Sequence, residues 1–299
     1  MCARYWFALA LAASLLLSPG ASPAQSRDHR LSIGGRDRSY LLYRPATLDR
    51  HMPVPLVIML HGGFDTGAQA EKSYGWDEMA DAKGFVVAYP DGVGRSWNAG
   101  GTCCGPAFRD RIDDVAFLDQ LIAAVSSDEN IDHNRIYITG ISNGAAMAYR
   151  YACNGKTPVA AIGSVAGTMP GDCAGPRPVS VIEIHGLQDQ NIPFAGGVGT
   201  KGVTRIDWPP VETALNPFRR ADRCPPAAAQ KSGVVERHDA ACADGRSISL
   251  ITIADAGHQW PGAVARHPLI ERLLRLDPPS TALNATQALW RFFESHTAR

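Results

Sequence analysis

The sequence predicts an α/β fold with a mostly parallel central sheet and helices on both faces. Five short apolar runs rich in branched side chains recur along the chain: Leu56 to Leu60, Phe85 to Tyr89, Ile136 to Thr139, Val179 to Ile184 and Ile248 to Ile253. Unbroken apolar runs of this length read as strands buried on both faces. Helical patterns fall between them, with Leu118, Leu121, Ile122 and Val125 at i, i+3, i+4, i+7 and a three-turn segment from Asn143 to Cys153. Strand and helix therefore alternate, which favours a parallel sheet with helical crossovers.

Taken in chain order, residues 1–24 read as an export signal: Arg4 supplies a positive charge, Tyr5 to Leu17 are almost wholly apolar, and Ser22-Pro23-Ala24 offers small residues for cleavage. The apolar run is shorter than the roughly 20 residues of a membrane span, so no membrane association is expected after cleavage. Residues 25–299 form one expected catalytic domain, since α/β folds run to about 250 residues as single units. Between Ile192 and Cys224 the rhythm lapses into Gly196-Gly197, Gly199, Gly202 and Trp208-Pro209-Pro210, which predicts a long excursion over one face of the domain, of the kind used for binding surfaces. A last helix is expected over Thr281 to His296, entered from Pro278-Pro279-Ser280, with Ala285, Leu289, Phe292 and Phe293 facing the core.

Composition excludes several functions. The chain is 45% hydrophobic and 19% charged, too apolar for disorder. Lys plus Arg balances Asp plus Glu at 29 each, leaving no field to attract nucleic acid. No basic cluster is present to clamp a phosphoester. Of seven cysteines, Cys2 lies in the signal, leaving Cys103, Cys104, Cys153, Cys173, Cys224 and Cys242. An even number in an exported chain predicts disulfides. Six cysteines allow 15 pairings; Cys224 with Cys242 is the favoured pair, because the two bracket one expected hairpin. No pair has zinc-knuckle spacing, so neither metal nor other cofactor is expected.

Chemistry concentrates in Gly140-Ile141-Ser142-Asn143-Gly144, a G-x-S-x-G sequence between the strand Arg135 to Thr139 and the helix from Asn143. A serine on so tight a strand-to-helix turn takes strained backbone angles, and flanking glycines avoid clashes. Ser142 is thus the expected nucleophile. Its hydroxyl needs a base, and the base an orienting carboxylate, in the chain order Ser, Asp, His. Asp189 lies just past the strand Val179 to Ile184, and His258 just past Ile248 to Ile253, both on the rim where open α/β sheets bind ligands. Asp255 is the competing acid, too close to His258 in sequence for triad geometry. His185 is the competing base, better suited to fixing its turn. His133, His238, His267 and His296 lie in polar stretches and are expected at the surface. Backbone N–H groups of Asn143 and Gly63 are the expected oxyanion hole, since Leu56 to Leu60 runs straight into His61-Gly62-Gly63.

These residues resemble a family of secreted α/β-hydrolase esterases that includes polyhydroxybutyrate depolymerases, feruloyl esterases and acetylxylan esterases. The motifs are Leu60-His61-Gly62-Gly63, Tyr89-Pro90-Asp91-Gly92, Trp97-Asn98-Ala99-Gly100, Cys103-Cys104-Gly105, Asp113-Asp114-Val115, the Ser142 pentapeptide, His185-Gly186 with Asp189, and Gly257-His258-Gln259-Trp260-Pro261-Gly262. The resemblance spans Tyr40 to Phe293 and implies the same roles for Ser142, Asp189 and His258. It further implies that the Trp97 and Cys103-Cys104 loop lies near the pocket, with disulfides holding it to the helix bearing Cys153. Trp97, Asn98 and Trp260 are the expected substrate-binding residues. The indoles of Trp97, Trp208 and Trp260 either offer flat faces to an aromatic acyl group or sugar ring, or pack loops. Members that degrade solid polymer often carry a linker and a separate binding module, whereas this chain ends soon after its last expected helix, which counts against insoluble polymer as substrate. The expected function is a secreted or periplasmic serine carboxylic-ester hydrolase acting on a small ester, a plant cell-wall ester or a hydroxyalkanoate oligomer. A serine peptidase on the same scaffold and an inactive binding protein are the alternatives.

Overall fold

A computed structural model describes residues 26–298 except 174, 203–204, 266–268, 270 and 272–276. The expected export segment 1–24 and His267 lie outside the described residues. Twelve strands are described: β1 (Arg27–Ile33), β2 (Arg36–Tyr43), β3 (Val54–Leu60), β4 (Val86–Pro90), β5 (Ile131–Ile141), β6 (Ala161–Val165), β7 (Ser180–Gly186), β8 (Gly197–Val198), β9 (Asp207–Trp208), β10 (Ala228–Ser232), β11 (Val235–Ala241) and β12 (Ser247–Ile253). Among the described residues the helices are α1 (Gly67–Tyr74), α2 (Trp76–Lys83), α3 (Gly105–Arg109), α4 (Asp114–Asp128), α5 (Asn143–Asn154), α6 (Val211–Ala221) and α7 (Ala285–Phe293).

Ten strands form one sheet in the order β1-β2-β4-β3-β5-β6-β7-β12-β11-β10. The six from β4 to β12 run parallel, and an antiparallel hairpin closes each edge. All five apolar runs are central strands. On β3, Leu56, Ile58 and Leu60 enter one core with α4, α5 and α6, while Val57 and Met59 enter the other with α2 and α7, as the two-residue side-chain period of a strand requires. Helices thus cover both faces, and the fold is that of an α/β-hydrolase. The β1–β2 hairpin turns at Gly34-Gly35, both at positive φ, the conformation a two-residue turn between twisted strands needs.

The α4 stripe packs as its spacing predicts, with Leu118, Leu121, Ile122 and Val125 buried. The last helix begins at Ala285 instead of Thr281, because Asn284 caps it by accepting from the Gln287 N–H at 2.9 Å. Its aromatic face is core: Phe293 stacks on Tyr137 at 4.8 Å and Trp290 on Phe85 at 4.1 Å. His296 is buried, not at the surface, with Nδ1 donating to Phe292 O at 2.6 Å and Nε2 facing Ser247 Oγ at 2.7 Å. Among its described residues, the segment 192–224 carries regular structure. It holds the β8–β9 ribbon and α6, whose Val211, Leu215 and Phe218 pack into the core against β7 and β12.

The six cysteines pair as Cys103–Cys104, Cys153–Cys173 and Cys224–Cys242. The last is the pair expected around the β10–β11 hairpin. The tether implied between the Cys103-Cys104 loop and Cys153 is not made: Cys153 closes a loop 20 residues long with Cys173, and the adjacent cysteines bond to each other. That loop is held by backbone bonds instead, Ala99 N–H to Cys103 O at 2.9 Å and Cys104 N–H to Trp97 O at 3.2 Å. Loops of 18 and 20 residues are worth about 3 kcal/mol each by chain-entropy arguments. Reductant is expected to lower the thermal midpoint, and the unreduced, denatured mature protein to present no free thiol in a thiol titration.

Candidate active site

The parallel strands bring three segments to one rim of the sheet. Ser142 joins β5 to α5 with φ 58° and ψ −120°, a conformation that costs a non-glycine residue roughly 1–3 kcal/mol. The surrounding structure enforces it: the Ser142 N–H donates to Val165 O at the end of β6, 3.0 Å away. A β-carbon at Gly140 would strike Gly144 and Leu60 backbone, and one at Gly144 would strike Leu60 and His61 carbonyls. Both glycines flanking the serine are therefore steric necessities of the elbow.

The loops after β7 and β12 press together. Gly186 leaves no room for a side chain against Ala256. Leu187 N–H donates to Ile253 O and Gln188 N–H to Ala256 O, each at 2.9 Å. These contacts bring Asp189 and His258 face to face: His258 Nδ1 is 2.7 Å from Asp189 Oδ2, and His258 Nε2 is 2.9 Å from Ser142 Oγ. Asp189 Oδ1 accepts the N–H groups of Asn191 and Ile192, both at 2.8 Å. Burial opposes ionisation of Asp189, but His258 and His185 outweigh it and hold its carboxyl well below the usual range. Asp255 is exposed and takes no part in this relay.

His61 organises the glycine loop. Its Nδ1 donates to Gly62 O at 2.7 Å and its Nε2 accepts the Gly92 N–H at 2.9 Å. Burial favours the neutral ring. Gly62 lies against Ile141 and Ser142, and the space beside Gly63 is open. The first turn of α5 leaves the Asn143 N–H without an intrahelical acceptor. Gly62 thus borders Ser142, and the Gly63 loop and Asn143 both follow the carboxyl ends of the neighbouring parallel strands β3 and β5. The Asn143 side chain is a clamp: it accepts the Trp97 N–H at 2.7 Å and donates to Trp97 O at 2.9 Å.

Several motif residues prove to be scaffold. Asp91 accepts from Gly67 N–H and from Ser39 Oγ, each at 2.9 Å, and buried Asp114 accepts from Arg38 at 2.8 Å and from the Asn98 N–H at 2.7 Å. The tryptophans do not present open faces: Trp97, Trp208 and Trp260 are 0%, 4% and 2% exposed. Trp97 donates to His61 O at 2.9 Å, and Trp260 stacks on Tyr74 at 4.6 Å and donates to Thr286 at 3.1 Å. Burial corrects the expectation that Trp97 and Trp260 bind substrate directly. Asn98 is half-buried, accepts from Arg150 at 3.0 Å, and lines a cavity of about 400 Å³ with Arg111, Arg150 and Met169. A larger cavity of about 790 Å³ adjoins it, lined by Met169, Asp207, Trp208 and Arg220. Neither is lined by Ser142.

Asp277 and Glu183 escape the sequence reading, while His185 fixes its turn as expected, with Nε2 2.9 Å from Ile192 O. Asp277 accepts the His258 N–H at 2.8 Å and is paired with Lys201 at 2.7 Å. Glu183 and His185 form a fully buried pair 3.1 Å apart behind Asp189. The signal for the latter was available: Glu183 is a charged residue inside an otherwise apolar strand.

Fold and related sequences together define a carboxylic-ester hydrolase built on an α/β-hydrolase sheet. The chain belongs to the esterase family described as Esterase PHB depolymerase, whose model matches residues 38–188. It is 30% identical over 252 residues to "Putative esterase NocK" of Nocardia uniformis subsp. tsuyamanensis, covering 77% of this chain and 72% of that protein. It is 30% identical over 190 residues to feruloyl esterase C of Emericella nidulans, covering 60% and 65%. The acetyl xylan esterase of Aspergillus awamori shares the fold with a TM-score of 0.58 at 14% identity, covering 83% of this chain and 98% of that one.

Proposed function

We propose that this chain is an exported serine esterase that cleaves small carboxylic esters, of the feruloyl, acetyl or hydroxyalkanoate kind, through an acyl-enzyme on Ser142. The carrying observation is the unbroken Ser142–His258–Asp189 relay at the sheet's edge. His258 Nε2 takes the Ser142 proton as Oγ bonds to the ester carbonyl carbon. The oxyanion then receives N–H donors from Asn143 and Gly63. As the intermediate collapses, the C–O bond breaks and His258 returns its proton to the leaving alcohol. Water, deprotonated by the same imidazole, releases the acid. The apolar segment 5–17 and the three disulfides support export.

The test is an organophosphonate probe, which is expected to add its mass to the Ser142 peptide; no adduct, or an adduct elsewhere, overturns the proposal. A panel of methyl ferulate, acetylated xylan, short hydroxybutyrate oligomers and nitrophenyl esters then assigns the acyl group. Casein and peptide amides in the same panel test for peptidase activity.

The pH profile follows from the geometry. An imidazole base works only when neutral, and imidazoles titrate near ~6.5 in model peptides, so kcat/KM is expected to rise from acid to neutral pH. Asp189 stays ionised throughout, since its folded carboxyl is held low, so the rise does not report its titration. A rate flat from about pH 4 to 8 removes His258 from the role of base.

A further inference from the structure

We propose that His185 is a positioning residue which, as a buried imidazolium between Glu183 and Asp189, tunes the basicity of His258; the proposal rests on the reading of His258 as the base. His185 lies outside the nucleophile relay yet touches its carboxylate. Its Nε2 is 2.9 Å from Ile192 O and 3.4 Å from Asp189 Oδ2, and its Nδ1 is 3.1 Å from Glu183 Oε1. A backbone carbonyl only accepts, so Nε2 must carry a proton. Burial pushes the Glu183 carboxyl up while His185, Ser164 and Tyr149 draw it down; ionised, it only accepts, and Nδ1 then carries the second proton of a doubly protonated ring.

The surroundings favour that state. Glu183 Oε2 is already occupied by the Tyr149 hydroxyl at 3.0 Å. Facing the ring are Glu183 from β7, Asp189 from the loop after it, and His258 across Asp189; Tyr149 of α5 and Ser164 of β6 reach Glu183, and Arg219 of α6 acts on Tyr149. Phe194 covers the ring edge-on at 5.8 Å. Burial works against the charge, but the Asp189 and Glu183 carboxylates prevail and hold the proton up to about 10.

The consequence concerns Asp189 Oδ2, which one oxygen presents to two imidazoles. A fixed cation there draws on the same negative charge that stabilises His258 once it is protonated. A neighbouring positive charge lowers the pH at which a second imidazole accepts a proton. His185 therefore keeps His258 neutral, and so competent as a base, further into the acid range. Its second effect is geometric: with Asn191 and Ile192, it fixes the carboxylate plane toward His258.

Two measurements test this. In 15N-histidine spectra of the wild-type protein, His185 is expected to show two protonated nitrogens at pH 8; a neutral ring there overturns the proposal. His185→Gln keeps a donor but not the charge, and is expected to move the acid limb of kcat/KM up by about one pH unit. A merely structural role would lower the rate at every pH without moving the limb, and a folded variant whose limb does not rise overturns the proposal. Where the variant does not fold, the wild-type spectrum alone decides. Failure of the esterase reading is separate: it appears as the missing Ser142 adduct, whatever His185 shows.

Discussion

Ser142→Ala is expected to lower kcat on nitrophenyl acetate by about 10⁵- to 10⁶-fold, with the thermal midpoint nearly unchanged. The hydroxyl is the atom facing His258 Nε2, at 2.9 Å, and a methyl group offers no proton and no nucleophilic lone pair. Little else is lost. The serine side chain makes no cap hydrogen bond to α5, and the bond anchoring the turn comes from its backbone N–H to Val165 O. Alanine inherits the same strained φ as serine, so the elbow survives. Equal rates for wild type and variant, measured on folded protein, would discard Ser142 as nucleophile.

Asp189→Asn is expected to reduce kcat by about 10⁴-fold, through the wrong tautomer of the base. Oδ1 accepts two backbone N–H groups, from Asn191 and Ile192, while Oδ2 faces His258 and His185. An asparagine can satisfy those N–H groups only with its carbonyl oxygen, which turns its NH₂ toward the imidazoles. His258 Nδ1 must then accept, its proton moves to Nε2, and that nitrogen can no longer take one from Ser142. Stability is expected to fall as well. Because the folded carboxyl is held low, ionised Asp189 stabilises the fold above its unfolded value of ~3.9 and loses that contribution as pH falls. The gap in melting temperature between wild type and variant is therefore wide at neutral pH and closes in acid. A gap independent of pH would refute this account, and retained activity would free His258 from its dependence on Asp189.

The central strands were legible because burial on both faces leaves only one pattern, an unbroken apolar run. β6 was not, since Ala161–Val165 contains Ala, Gly and Ser; Gly163 is small because Leu289 and Phe293 of α7 press onto it. The β1–β2 hairpin escaped for the opposite reason, since no residue of Arg27–Ile33 is buried and the strand carries no unbroken apolar run, whereas the hairpin between Cys224 and Cys242 was marked by its cysteines. Glycine spacing placed Ser142 on a turn, and strand ends placed Asp189 and His258 on the same rim. What lay beyond reach was orientation. Nothing in the order of residues says that Trp97 turns its indole inward to His61 O, that His296 tucks beneath α7, or that adjacent cysteines join each other. Those outcomes depend on which partners long loops deliver, and Asp277, 19 residues from His258, shows how far such partners travel.

Because the peptide groups after β7 and β12 are stitched to one another at Leu187–Ile253 and Gln188–Ala256, acid and base travel as a single rigid body. Their separation is then set by these backbone bonds and by the core packing of α6 against β7 and β12, and the side chains that the outer ribbon turns outward do not enter it.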